Sequence, residues 1–277
     1  MGSNTISIQG QAGSYHYLVA RDFFAEDGDF LMRDSFREVF ADVRAGRSEF
    51  GVAAIENSSV GSINEVYDLL RHSGLFIVGE QYRRISHCLV GLAGANLAGI
   101  KQVHSHPMAI LQCETFLEGK LPQVDAHERH DTAESVEYIM GLGDKARAAI
   151  ASEEAAKLHG AAILARDIET DKHNYTRFLV LKKRNHVSDV VNKTSIMVEL
   201  ANKPGSLYHA LGCFESEGIN LSKIESRPIL GRGWRYYSYI DFEAGINDPR
   251  AKRALKCLAG QGHDLTVLGS YQKGEMS

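Results

Sequence analysis

The feature that most constrains the fold is an alternation running through about two thirds of the chain. Short apolar segments of strand length take turns with segments of helical spacing. Thr5–Ile8 reads as a strand, followed by the glycine-bearing turn Gly10-Gln11-Ala12-Gly13-Ser14 and a helix from Ser14 to Phe24. Ser35-Phe36-Arg37-Glu38 has capping-box form, and the helix it starts should stop near Gly46. Phe50–Ile55 is a continuous apolar run, as expected of a strand buried on both faces. The segment 56–61 reads as a loop, Ile63–Arg71 as a helix and Leu75–Gly79 as a strand. Asp131-Thr132-Ala133-Glu134 repeats the capping-box pattern, and Ser152 can cap a helix over Glu153–His159 after the short strand Ala148–Ala151. Strand–helix alternation of this kind predicts a parallel sheet packed between helices, with ligands at loops beyond the strand C-termini. Loops 10–14 and 56–61 occupy that position.

The last third has a different rhythm. Ser195–Ala201 alternates, with Ile196, Val198 and Leu200 on one face. A helix follows Pro204-Gly205, with Leu207, Leu211 and Phe214 at helical spacing, and Gly218 ends it. Ile219–Ile224 is a strand, Gly231–Gly233 a turn and Arg235–Phe242 a third strand. Asp248-Pro249 is an N-cap with a first-turn proline, and Leu265–Tyr271 is the last strand. The order β-α-β-β-α-β is the ferredoxin-like split arrangement. Two domains are therefore expected, 1–182 and 194–277, joined by a polar linker over 183–193.

Composition narrows the function. With 277 residues, 31 Lys+Arg against 35 Asp+Glu and a net charge of −4, the chain lacks the basic surface of a nucleic-acid or acidic-membrane binder. Its N-terminus has no signal-peptide layout, and no apolar run reaches membrane-spanning length. Cys88, Cys113, Cys213 and Cys257 are far apart and form no CxxC pair. They are expected to be scattered thiols in a reducing cytoplasm, with no metal site.

Three segments carry a family resemblance. Glu56-Asn57-Ser58-Ser59-Val60-Gly61 resembles the ENSxxG motif of prephenate dehydratases with a C-terminal ACT regulatory domain. Asn174-Tyr175-Thr176-Arg177-Phe178 is similar to the family's N-x-T-R-F motif, and Leu221–Pro228 to the ESRP signature of its ACT domain. Gly205-Ser206-Leu207-Tyr208 and Leu268-Gly269-Ser270-Tyr271 resemble two further ACT segments. The chain also departs from the pattern. His16 replaces a serine in the first loop, Met108 a glutamine after His106-Pro107, and Ala54 a proline before Ile55-Glu56-Asn57.

The resemblance implies an α/β catalytic domain of two lobes, like the periplasmic binding proteins of class II, followed by an α+β ferredoxin-like ACT domain. Loops 10–16, 56–61 and 174–178 would converge on the cleft. The implied reaction converts prephenate to phenylpyruvate in phenylalanine biosynthesis, expelling carbon dioxide and water. Aromatisation drives it, so no cofactor is required. Helix N-termini and glycine turns suit the two carboxylates. Thr176 is marked as essential, and its hydroxyl can donate to the departing hydroxyl. Glu56 is the second catalytic candidate. Glu56, His16 and His106 are all candidate proton donors. Ser14, Tyr15, His16, Asn57, Ser58, Gly61, His106, Asn174, Arg177 and Phe178 would contact substrate. For Arg177 a bidentate carboxylate contact and a structural ion pair are both open, and Glu56 could instead support a neighbour.

Phenylalanine would bind between paired ACT domains, at Gly205, Ser206, Leu207, Asn220, Leu221, Glu225, Ser226, Arg227 and Pro228, in a homodimer or homotetramer, and would inhibit the reaction as feedback. The alternative for Glu225 and Arg227 is a structural pair. Two other functions fit the same residues: an arogenate dehydratase and a non-catalytic phenylalanine sensor.

Overall fold

A long-range strand insertion organises the structure, a computed structural model describing residues 4–25, 28–185, 190–229, 231 and 235–276. The first lobe runs through β1 (Asn4–Gln9), α1 (Tyr15–Phe23), β2 (Gly28–Arg33), α2 (Phe36–Ala45) and β3 (Phe50–Asn57). A short β4 (Gly61–Ser62), α3 (Asn64–Ser73) and β5 (Phe76–Arg84) complete its first pass. Both halves of the Ser35–Glu38 capping box form, and Gly46 ends α2 with φ 75°, a left-handed conformation that glycine adopts without strain.

The second lobe comprises β6 (Cys88–Gly91), β7 (Gln102–Ser105), α4 (Pro107–Gln112), α5 (Glu114–Lys120), β8 (Asp125–Glu128), α6 (Thr132–Leu142), β9 (Arg147–Ala151), α7 (Glu153–Leu158) and β10 (Ala162–Ala165). Asp131 caps α6 through the Ala133 and Glu134 N–H groups. The Glu134 carboxylate turns instead to Arg129, so the reciprocal half of that capping box is absent.

The chain then returns to the first lobe as β11 (Tyr175–Lys182). This strand slots between β3 and β5, giving the order β2-β1-β3-β11-β5. Neither lobe has the all-parallel sheet expected. β1 is parallel to β2 and β3, but β11 runs antiparallel to both its neighbours. The second sheet, β10-β6-β9-β7-β8, is also mixed. The two crossings between lobes lie side by side, with the Ile85 N–H bonded to Asn174 O at 2.8 Å and the Ile168 N–H to His87 O at 2.9 Å. Segment 174–178 is mostly strand rather than loop, and Glu56 and Asn57 end β3 rather than opening a loop.

The C-terminal unit follows the expected order: β12 (Lys193–Glu199), α8 (Ser206–Glu215), β13 (Leu221–Pro228), β14 (Tyr236–Phe242), α9 (Pro249–Gly260) and β15 (Asp264–Tyr271). Its sheet order is β13-β14-β12-β15, all antiparallel. Residues 186–189 of the expected linker, and the 231–233 turn beyond Gly231, lie outside the described residues. Lys193 belongs to β12, not the linker, and is buried.

The C-terminal sheet does not stand apart. Its Met197, Tyr239, Leu268 and Tyr271 share one core with Ile55, Tyr67, Ile77 and Leu179 of the first lobe. At Gly269 a Cβ would lie 2.0 Å from Ile77 O, so only glycine permits the approach of β15 to β5. One sequence expectation is overturned outright. Cys213 and Cys257 form a disulfide between α8 and α9, because both helices turn these residues toward each other; Cys88 and Cys113 remain free and buried. Among the described residues, no helix is long and apolar enough to cross a membrane.

Candidate active site

Inserting β11 beside β3 brings together motifs more than a hundred residues apart. Thr176 pairs with Asn57, and Arg177 with Glu56. Successive strand residues face opposite ways, so the pair presents two different surfaces. On one, the Asn57 Nδ2 donates to Asn174 Oδ1 at 2.6 Å and to Thr176 Oγ1 at 2.8 Å. Asn57 Oδ1 accepts from the Ser59 and Val60 N–H groups, tightening the turn into β4. Ser58 Oγ donates to His173 O and accepts from the Tyr175 N–H. This cluster sits where the chain crosses between lobes. The Thr176 oxygen accepts from Asn57, and among the described residues no protein group accepts its proton. It is a hydroxyl held ready to donate.

The first loop adds helix ends. Ser14 caps α1 by accepting from the Tyr17 N–H. Its neighbour Gly13 O accepts from Ser152 Oγ, the cap of α7, at 2.9 Å. A Cβ on Gly13 would lie 2.9 Å from Ala155 Cα, and one on Gly10 2.8 Å from Asp131 Oδ2. The glycines therefore let the loop close against the second lobe. Tyr15 donates its hydroxyl to Ser86 O at the crossing, and burial pushes its pKa up, keeping it protonated. His106 caps α4, its Nδ1 accepting from the Met108 N–H at 3.2 Å, which leaves Nε2 as the donating nitrogen. Burial lowers its pKa, with Asp131 opposing, so the ring is neutral. Gly61, exposed with φ +83°, opens β4 after the turn from β3.

Four expected site residues lie elsewhere. His16 is buried between Phe36 and Phe178, its Nε2 accepting from the Ala54 N–H at 3.2 Å. Burial lowers its pKa to about 3, so the ring is neutral and sits in the core rather than at the lobe crossing. Phe178 belongs to the core beneath the sheet, with Ile8, Val52 and Val180. Glu56 and Arg177 occupy the surface facing the C-terminal sheet. Arg177, 3% exposed, donates from Nε to Glu80 at 2.7 Å, and its Nη1 lies 2.6 Å from Asp241 and 3.1 Å from Glu56. Its Nη2 donates to the Tyr271 hydroxyl at 3.1 Å. Glu56 is also paired with Lys223. In the structure the Arg177 guanidinium is taken up by these ion pairs and faces away from Thr176.

Three cations, Arg177, Lys193 and Lys223, thus meet three carboxylates, Glu56, Glu80 and Asp241. Burial would lower the Arg177 pKa, but Asp241, Tyr271 and Glu80 raise it well above its usual value. Burial pushes Asp241 up, and Arg177 and Lys193 outweigh it, leaving a carboxylate. Nothing local in the sequence marks Glu80, Lys193 or Asp241 as partners of Arg177.

The C-terminal residues divide in the same way. Along β13, Lys223, Glu225 and Arg227 are half-buried, while Ser222, Ile224, Ser226 and Pro228 are exposed. Glu225 accepts from Ser62 Oγ at 2.7 Å, and Arg227 pairs with Asp68 at 3.0 Å. They do not pair with each other. Asn220 donates to Glu243, and Leu221 packs on the helices. Gly205, with φ +85°, caps α8, and Ser206, Leu207 and Tyr208 follow, the last 76% exposed.

Hydroxyl and amide groups thus gather where the two lobes join, backed by a further α+β sheet, an arrangement suited to a small polar ligand. A family model described as prephenate dehydratase matches residues 6–186, and the chain belongs to that family. It is 36% identical over 268 residues to the bifunctional chorismate mutase/prephenate dehydratase of Aquifex aeolicus, covering 97% of this chain and 73% of that one. It is 38% identical over 277 residues to the chloroplastic arogenate dehydratase/prephenate dehydratase 2 of Arabidopsis thaliana, covering 96% and 72%. The crystal structure of prephenate dehydratase in complex with L-Phe from Arthrobacter aurescens superposes with a TM-score of 0.87 at 29% identity, covering 97% of this chain and 90% of that one. The chain is thus of a family of enzymes that remove water.

Proposed function

We propose that this protein is a carbon–oxygen lyase that converts prephenate to phenylpyruvate, carbon dioxide and water. One observation carries the reading: the Thr176 hydroxyl, held by Asn57 at the lobe crossing with its proton uncommitted. In the reaction the bond from the ring to its carboxylate breaks and carbon dioxide leaves. The freed electron pair enters the ring as the carbon–oxygen bond to the ring hydroxyl breaks, and the departing hydroxyl takes up one proton, ultimately from solvent, to leave as water. Thr176 donates to the departing oxygen, where charge develops. The amide of Asn57 polarises the hydroxyl and strengthens it as a donor. The α1 N-terminus, packed against the second lobe where Gly13 O accepts from Ser152, suits an anionic group of the substrate. His106 is the remaining imidazole donor.

The lobes over 1–182 carry this chemistry, and the unit from Lys193 onward is an ACT domain that binds phenylalanine. Exposed Leu207, Tyr208 and Ile224 beside the open edge of β13 suit an interface between two copies, with the effector held between them. A homodimer or homotetramer follows. A cytoplasmic location fits the biosynthetic role. The test compares kcat/KM for prephenate and arogenate on the same preparation. Preference for prephenate supports the proposal. A strong preference for arogenate moves the assignment to that substrate, and turnover of neither, with phenylalanine still binding, makes the protein a sensor.

A further inference from the structure

Arg177 and Thr176 are neighbours on β11 with opposite duties. Thr176 has one side-chain partner, Asn57, so its placement beside Asn57 depends on the course of its own strand. That course is irregular here. The β3–β11 register shifts between Arg177 and Phe178, and such a bulge re-aims the side chains beside it. On the β5 side the ladder stays regular from Tyr175 to Val180, so the looser side is the one that carries Asn57, and there the Arg177 guanidinium, bonded to Glu56 next to Asn57, adds the missing constraint. It is held from four strands: β3 by Glu56, β5 by Glu80, β14 by Asp241 and β15 by Tyr271. Two of the four belong to the C-terminal sheet. Asp241 is itself fixed by Ser195 and sits 3.9 Å from Lys193. Glu56, next to Asn57 on β3, is tied to the same sheet by Lys223.

We propose that Asp241 is a positioning residue for the dehydration, acting from the C-terminal sheet through Arg177 to set Thr176 against Asn57. The accessory unit thereby completes the active site without touching substrate, from the reverse side of the strand pair that lines it. The proposal rests on the dehydratase reading above. A displacement of about 1 Å at a reacting group costs roughly a hundredfold in rate, so a loosened Arg177 should lower kcat by about tenfold with little change in KM.

The test is Asp241→Asn, which keeps the shape and removes the charge, measured per folded molecule. The expected result is that fall in kcat with KM within about twofold, together with a shifted NMR resonance of the Thr176 methyl group. Asp68→Asn, which removes the outlying Arg227 contact at the same interface, should leave both unchanged. Should Asp241→Asn fail to fold, Tyr271→Phe removes a single hydroxyl from Arg177, keeps the ring in the core, and should give a smaller change in the same direction. Wild-type kcat and an unmoved Thr176 methyl in the folded variant would overturn the proposal. If the wild-type protein does not turn over prephenate, the dehydratase reading fails, and the methyl resonance still decides whether Asp241 positions Thr176.

Discussion

Replacing Thr176 with valine separates the hydroxyl from everything else at the site. The two side chains have the same shape, so packing is kept. Two consequences follow from the hydrogen bonds. The Asn57 Nδ2, 2.8 Å from Thr176 Oγ1, loses one acceptor and keeps Asn174 Oδ1 at 2.6 Å. A buried donor left unpaired costs about 1–3 kcal/mol of stability. The transition state loses its donor to the leaving hydroxyl, about 3 kcal/mol, or roughly a hundredfold in kcat. Both are read on one preparation: urea unfolding gives the stability, and the ultraviolet absorbance of phenylpyruvate gives the rate. Thr176→Ser, which keeps the hydroxyl, should recover most of the activity. A valine variant within about threefold of wild-type kcat would refute the donor role, because no electrostatic contribution of this size could then be present.

Arg177→Met should destabilise the fold by about 3–5 kcal/mol, seen as a lower urea midpoint, because Glu80 and Asp241 lose their buried partner. His16 should make stability fall on acidification. Its pKa is lowered from 6.5 to about 3, so the unfolded chain binds the extra proton; its contribution is complete above pH 6.5 and is lost as pH falls toward 3, at up to about 1.4 kcal/mol per pH unit. His16→Gln should flatten that slope in unfolding titrations, and an unchanged slope would exclude the buried neutral ring. Reducing the Cys213–Cys257 bond, which spans 44 residues, should cost the C-terminal unit up to about 4 kcal/mol through the freed unfolded chain; identical melting with and without a thiol reductant would count against the bond.

Local chemistry was the legible part of the sequence. The Ser35 capping box, the Ser152 cap, the both-face burial of Phe50–Ile55 and the β-α-β-β-α-β rhythm all follow from neighbours within a few residues. Four-residue strands such as β6, β7 and β8 are too short to show a period. Alternation could have shown that Thr176 and Arg177 face opposite ways. It could not show that a second sheet waits on the Arg177 side, since that depends on β15 packing against β5. The cysteine pair was hidden for the same reason: its partners meet only once α8 and α9 pack.

The placement of His16 had a signal. His16 and Ala54 both depart from the family's pattern, and they touch. Proline has no N–H, whereas Ala54 has one, and His16 accepts it. Two departures that looked like separate doubts about the ligand are a single buried hydrogen bond. Neither alters the Asn57–Thr176 pair, so the central chemistry is untouched by them.

Incubating the purified protein with prephenate, with and without phenylalanine, tests the central claim most directly. The expected result is phenylpyruvate formation that phenylalanine suppresses. Absence of phenylpyruvate from folded protein, at any phenylalanine concentration, would contradict it.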